Sequence, residues 1–211
     1  MKRFLTLLTI ALSLVFINHS CKPDNGEDEF IQGSESGSGS IYGIVTDKVT
    51  GEPVKNANVQ LRPTGETSLT GTDGRYEFLN IEDGNYSIKV SKNGYTNLID
   101  DYVITVDGTK AMRRDVQIEK FGNIKGTVRS AKTNEGLKNV YITLRRMYSY
   151  GGELIETIQS SSYGSYEFKD LEPGKYRLAF ERNNYGSTYE NITVQSDHTH
   201  TLDVYMYYNG E

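Results

Sequence analysis

The sequence predicts an all-β protein built from two small sandwiches in tandem. Three observations carry that expectation. Short runs of alternating apolar and polar residues recur along the chain: Tyr76 and Phe78 alternate with Arg75 and Glu77, and Tyr86, Ile88 and Val90 with Ser87, Lys89 and Ser91. A period of two marks strands with one buried face. The runs are punctuated by Asp73-Gly74, Asp83-Gly84 and Asn93-Gly94. Such pairs supply turns because glycine reaches positive φ at little cost. The pattern also repeats. Gly74, Tyr76, Phe78, Gly84, Tyr86 and Tyr95 reappear as Gly164, Tyr166, Phe168, Gly174, Tyr176 and Tyr185 at one constant offset, which marks an internal duplication.

Composition agrees. Of 211 residues only 36% are hydrophobic, while glycine and tyrosine are frequent and tryptophan is absent. One large core is therefore out of reach, and two all-β units of under about a hundred residues each fit better. The net charge is −5 and no basic run stands out, which argues against a nucleic-acid partner. Cys21 is the sole cysteine, so the chain forms no internal disulfide and no cysteine-based zinc site.

At the N-terminus, Lys2 and Arg3 precede a mostly apolar run over residues 4–16, the length of a signal-peptide core and short for a membrane span. Cys21 follows Ser20. The arrangement resembles a bacterial lipoprotein signal, which implies removal of residues 1–20, acylation of Cys21 and attachment to a membrane through that lipid. Asn18 stands where a large aliphatic residue is usual and His19 is atypical, a relaxed box of the kind seen in Bacteroidetes lipoproteins. An ordinary cleaved secretory signal, with Cys21 as a spare thiol, is the other reading of the same residues. Asp24, Glu27, Asp28 and Glu29 come next. Such a cluster resembles the signal that sends lipoproteins of that phylum to the outer face of the outer membrane; equally, it keeps a tether solvated. QGSESGSGS over residues 32–40 completes a flexible tether spanning residues 21–40.

The first unit is expected over residues 41–119. IYGIVTD opens it, and residues 55–62 form a second strand with Ala57, Val59 and Leu61 on one face. A short strand near residues 67–70 leads into the Tyr76 and Tyr86 strands. Residues 102–106 and 111–118 close the unit across Asp107-Gly108. About seven short strands separated by turns make a small sandwich. The motif G-x-V-x-D-x-x-T-G-E-P-V-x-x-A-x-V over residues 43–59, then T-D-G-x-Y-x-F and D-G-x-Y-x-I-x-V-x-x-x-G-Y, resembles the carboxypeptidase regulatory-like domain. That resemblance implies a seven-stranded, prealbumin-like Greek-key sandwich, grouped with carbohydrate-binding-like folds. It also implies a non-catalytic accessory module with no catalytic residue to carry over. Arg114 shares the parity of Met112, Val116 and Ile118; either it snorkels out at the rim or a bulge turns it outward.

The second unit is expected over residues 120–208, after a linker of only residues 120–122 that leaves the two units limited freedom. It departs from the first in one place. Residues 145–164 are seven longer than their counterpart at 62–74 and hold Arg146, Met147, Tyr148, Tyr150 and Gly151-Gly152. A longer hairpin with a Tyr/Gly tip is expected there, and such loops carry function more often than scaffold strands do. Eleven of the sixteen tyrosines fall in this unit. Tyr166 and Tyr176 have core parity, whereas Tyr141, Tyr205 and Tyr207 point outward. Exposed tyrosine suits sugar stacking or protein contact, and it is also simply a good strand former.

Chemistry is sparse. His198 and His200 lie beside Asp197 and Asp203 but fall short of a metal-ligand pattern, and each Asp-Gly pair already has a turn to explain it. Glu77 and Glu167 point outward, so no buried acid is expected beside a lysine to form an isopeptide bond. The expectation is a surface-anchored, non-enzymatic binding or adhesion module without cofactor or metal. Its ligand would be a polysaccharide or a partner protein, with Arg146, Tyr148, Tyr150, Tyr141, Tyr205 and Tyr207 as candidate contacts. The alternative is a spacer or accessory subunit of an outer-membrane nutrient-uptake complex.

Overall fold

The computed structural model describes residues 39–210, and every regular element in them is a strand. Cys21, the signal and most of the tether lie outside the described residues. The first sandwich contains β1 (Gly39–Asp47), β2 (Asn58–Arg62), β3 (Thr67–Leu69), β4 (Arg75–Ile81), β5 (Gly84–Ser91), β6 (Leu98–Ile99), β7 (Ile104–Val106), β8 (Ala111–Arg113) and β9 (Val116–Ile118). One sheet has the order β4-β1-β8, with β9 also on β1; the other has the order β3-β2-β5-β6, with β7 also on β5. Because β6 and β7 share one position beside β5, and β8 and β9 one beside β1, the sandwich has seven strand positions.

The second sandwich repeats this plan with β10 (Gly122–Ser130), β11 (Tyr141–Tyr148), β12 (Gly151–Gln159), β13 (Ser165–Leu171), β14 (Gly174–Glu181), β15 (Thr188–Val194), β16 (Thr199–Thr201) and β17 (Val204–Met206). Its sheets run β13-β10-β16, with β17 on β10, and β12-β11-β14-β15. In both copies the first strand pairs in parallel with the last two.

The inward residues are those the alternation marks. Ala57, Val59, Leu61, Ile88 and Val90 are wholly buried in the first core, as are Val140, Ile142, Leu144, Leu178 and Phe180 in the second. Truncating Leu61, Ile88, Ile142, Leu144 or Leu178 to alanine would cost about 2–5 kcal/mol. Tyr76 and Tyr166 are buried with their ring edges against Phe78 and Phe168.

Several boundaries differ from expectation. The second strand starts at Asn58, not at residue 55, because Asn56 takes φ 55° in the preceding turn. β3 stops at Leu69 because Thr70 turns inward: its hydroxyl donates to the Val54 carbonyl at 2.5 Å and accepts the Ala57 N–H at 2.8 Å. Ser160 makes the same clamp on Leu137 and Val140. At Asp83-Gly84 the glycine takes no left-handed φ and simply opens β5; the positive φ nearby is that of Asn80 (φ 57°), inside β4 where its register with β1 shifts.

The expected closing strand over residues 111–118 is broken at Arg114 and Asp115, and the break is shared by both copies. Gly43 on β1 lies against the Arg114 carbonyl so closely that a Cβ would sit 1.9 Å from its oxygen; at Gly126 and Leu202 the figure is 1.8 Å. The Tyr76 hydroxyl donates to the Arg114 carbonyl and that of Tyr166 to the Leu202 carbonyl, at 2.5 and 2.6 Å. Burial raises both phenols well above their usual range. Asp115 accepts the Ile44 N–H at 3.0 Å and Asp203 the Thr127 N–H at 2.8 Å. The Arg114 side chain leaves at the edge, where its guanidinium bonds Asp100 at 2.6 and 2.8 Å and lies 4.3 Å from the centre of the Tyr102 ring.

The linker is hydrogen-bonded on both sides. The Phe121 N–H donates to the Gly94 carbonyl (3.2 Å), the Asp197 N–H to the Phe121 carbonyl (3.1 Å) and the Lys120 N–H to the Ser196 hydroxyl (3.1 Å). The Lys120 ammonium reaches Asp197 at 2.7 Å.

Replacing Gly126 by alanine must push β10 off the Leu202 carbonyl and loosen the Tyr166 bond. Destabilisation of about 3 kcal/mol is expected from such overpacking, read by urea denaturation, whereas Gly84→Ala, whose Cβ would meet only Tyr86 side-chain atoms at 3.4–3.6 Å, should cost far less. A G126A protein as stable as wild type would show that the close approach is dispensable.

Candidate functional site

The longer hairpin forms as expected, and the register shows where it goes. β11 pairs with β14 up to Arg146 opposite Tyr176. Met147 and Tyr148 run on with only β12 as partner, ending in a two-residue turn at Ser149 and Tyr150. The tip therefore projects past the sheet. Tyr150 at its apex is fully exposed.

Its base is braced. Arg146 pairs with Glu172 and donates to the Pro173 carbonyl at 3.3 Å, with its guanidinium 5.7 Å from the Tyr148 ring centre. The Tyr148 hydroxyl donates to the Glu153 carboxylate across the hairpin at 2.9 Å, a bond that raises the phenol's pKa. Partial burial works against the Arg146 charge, but the bond to Glu172 together with the nearby Tyr176, Glu172 and Tyr148 groups outweighs it and holds the guanidinium more firmly protonated than usual. Arg146 is thus occupied as a strut, while Tyr148 and Tyr150 present their rings. Farther along, a bulge makes Ile155 an extra residue, since Leu144 faces Glu156 and Arg145 faces Leu154. β12 is an edge strand; the bulge and its glutamates discourage another strand from pairing there.

The other candidates are exposed but lie elsewhere. Tyr141 begins β11, about 23 Å along the strand from Tyr148 at 3.3 Å per residue. Tyr205 is on β17 in the opposite sheet and Tyr207 follows that strand. Only Arg146, Tyr148 and Tyr150 come together.

Pairing also creates a group the alternation does not reveal. On the solvent face of β11, β14 and β15, Arg145 is directly opposite Arg177, and the Arg177 guanidinium lies 4.8 Å from the Tyr189 ring centre. The outward parity of Arg177 in KYRLAFE is readable from the sequence. Its partner is not, because that depends on the register of two distant strands.

His200 accepts the Gln195 N–H through Nε2 at 3.0 Å and packs edge-on to His198; burial and His198 lower its pKa. Among the described residues no group of three His, Cys, Asp or Glu side chains could hold a metal ion. Glu167 faces solvent beside Lys169 at 3.2 Å.

If Arg146 braces the hairpin, Arg146→Ala should speed amide hydrogen exchange at residues 147–152 by about tenfold, a loss of about 1.4 kcal/mol of local protection. Exchange in the β14 core should stay unchanged. Equal rates in the two proteins would mean that the hairpin holds its shape without the strut.

The sequence model of the carboxypeptidase regulatory-like domain matches residues 40–119 and 123–207. Among curated proteins, the chain is 25% identical over 156 residues to a serine-aspartate repeat-containing protein E of Staphylococcus aureus, covering 61% of this chain and 13% of that protein. It is 28% identical over 163 residues to a bone sialoprotein-binding protein of the same species, covering 61% and 14%. The chain thus spans about one seventh of the length of these relatives. Among solved structures, a streptococcal ancillary pilin superposes with a TM-score of 0.52 at 17% identity, covering 84% of this chain and 64% of the pilin, a likeness of fold. With both copies matched over nearly their whole length, the chain belongs to the carboxypeptidase regulatory-like domain family and carries that domain twice.

Proposed function

We propose that this chain is a non-catalytic binding module displayed on a cell surface, held to the outer membrane by a lipid on Cys21 and contacting a carbohydrate or partner protein through the β11–β12 hairpin. The observation that carries the reading is the hairpin itself. Two sandwiches built to one plan differ most at this point, where the second adds seven residues and ends them in a projecting tip with a braced Tyr148 and a fully exposed Tyr150. A rigid aromatic tip offers contact area at little entropic cost, because tyrosine has few rotors to freeze. One sequence relative is a binding protein for bone sialoprotein, and the fold is shared with a pilin, so proteins similar to this chain bind or assemble. They support a module of this general kind without naming its ligand. In this reading a Gly/Ser-rich tether, as the sequence predicts ahead of the first sandwich, would give the folded head reach beyond the membrane.

Two measurements test the proposal. A soluble chain beginning at Lys22 should bind at least one glycan on an array, with binding reduced at least tenfold in a Tyr148→Ala/Tyr150→Ala double variant. Failure on every glycan, together with capture of an outer-membrane receptor in pull-downs, would replace this reading with an accessory subunit of an uptake complex. Separately, Cys21→Ala in the full chain should abolish fatty-acid labelling and move the protein from the membrane fraction to the soluble fraction. Unchanged fractionation would remove the lipid anchor from the proposal.

A further inference from the structure

Like charges directly opposite each other on an antiparallel pair are destabilising. The second sandwich nonetheless places Arg145 opposite Arg177 on its exposed sheet face, and among the described residues neither has an acidic partner. The polar contact of Arg145 is a 3.5 Å approach to the Gly152 carbonyl, and Arg177 rests on the Tyr189 ring. Lys175, exposed two residues away on β14, adds a third positive charge on the same face. Asn191 on β15 is opposite Arg177, and the Thr143 and Thr157 hydroxyls meet at 3.2 Å one row along. The acid in register on this face, Glu181, is four residues from Arg177, about 13 Å along the strand.

The duplication supplies an internal control. The repeat places Arg62, Ser87, Asn85, Ile99 and Asp101 where the second copy has Arg145, Arg177, Lys175, Tyr189 and Asn191. The register confirms Arg62 opposite Ser87. The same sheet therefore folds without the paired arginines, and the charge is not a requirement of the scaffold.

We infer that the solvent face of β11, β14 and β15 binds a carboxylate-bearing polysaccharide. This rests on the reading of the chain as a binding module and names the chemistry of its ligand. Arg145 and Arg177 stand on neighbouring strands about 4.8 Å apart, so both forks can converge on one carboxylate or on two consecutive ones. Around them stand the Thr143 and Thr157 hydroxyls, the Asn191 amide, the Tyr189 ring and Leu154, the last directly opposite Arg145 on β12, so polar groups suited to sugar hydroxyls lie beside apolar surfaces suited to sugar faces. An open, flat face fits an extended polymer better than a small molecule in a pocket. A polyuronate satisfies the charge and these neutral groups together, whereas an acidic peptide would leave the hydroxyl and amide side chains with less to do.

The soluble chain from Lys22, which holds both complete cores, is to be titrated calorimetrically with polygalacturonate, alginate, fully methyl-esterified polygalacturonate and poly-L-glutamate. Binding is expected to one or both polyuronates, to weaken with salt and to be lost on the methyl ester. Arg145→Ser/Arg177→Ser should lower affinity at least tenfold while leaving the melting temperature unchanged or higher, since a like-charge contact is removed. Arg62→Ser in the first sandwich should change nothing. No binding to either polyuronate, or binding retained in the double variant, overturns the inference. Equal binding of poly-L-glutamate would assign the face to an acidic protein instead. Array binding of neutral glycans that depends on Tyr148 and Tyr150, with neither polyuronate bound, would overturn this inference alone and leave the binding-module reading standing.

Discussion

The close approach of the first strand of each sandwich to the carbonyl before its last strand governs the rest of the fold. Only a residue without a side chain fits at Gly43 and Gly126. The carbonyl that approaches is taken out of the sheet ladder, and the hydroxyl of an inward tyrosine on the neighbouring strand meets it. A buried carbonyl left unpaired would cost about 1–3 kcal/mol. Glycine, tyrosine and the break in the closing strand therefore form one device. Asp115 and Asp203 complete it by occupying the first-strand N–H that the break would otherwise leave bare.

Much of this was legible in the sequence, because strand parity depends on neighbours two residues away. The inward faces of β2, β4 and β5 and their counterparts follow from alternation alone, and the spacing of the duplicated tyrosines announces the second copy. Arg114 looked like an error of parity. It belongs to a break that no local pattern encodes, because its cause is Gly43 on a distant strand. The turn at Asp83-Gly84 shows the same limit on a smaller scale. The familiar dipeptide suggests a left-handed glycine, yet Gly84 opens a strand and the left-handed residue nearby, Asn80, belongs to a bulge inside β4.

The candidate site divides in the same way. A longer hairpin with a tyrosine tip follows from counting residues between matched motifs, and the structure has it. That Arg146 would be tied down by Glu172 could not be counted. The Arg145–Arg177 pair is the clearest case. Each arginine alone is an ordinary surface residue, and only the β11–β14 register makes them neighbours. The two copies thus share everything the close approach dictates and diverge where packing is indifferent, at a loop tip and on a solvent face.

The parallel pairing of the first strand with the last two has a mechanical consequence. The chain enters each sandwich at one end of this ladder and leaves at the other, and the hydrogen-bonded linker couples the two sandwiches in series. Tension applied between the ends would therefore act along the terminal strands, shearing their hydrogen bonds together instead of peeling them one after another. Shear spreads load over the whole ladder, so the same arrangement that closes each sandwich would also let it bear a pull.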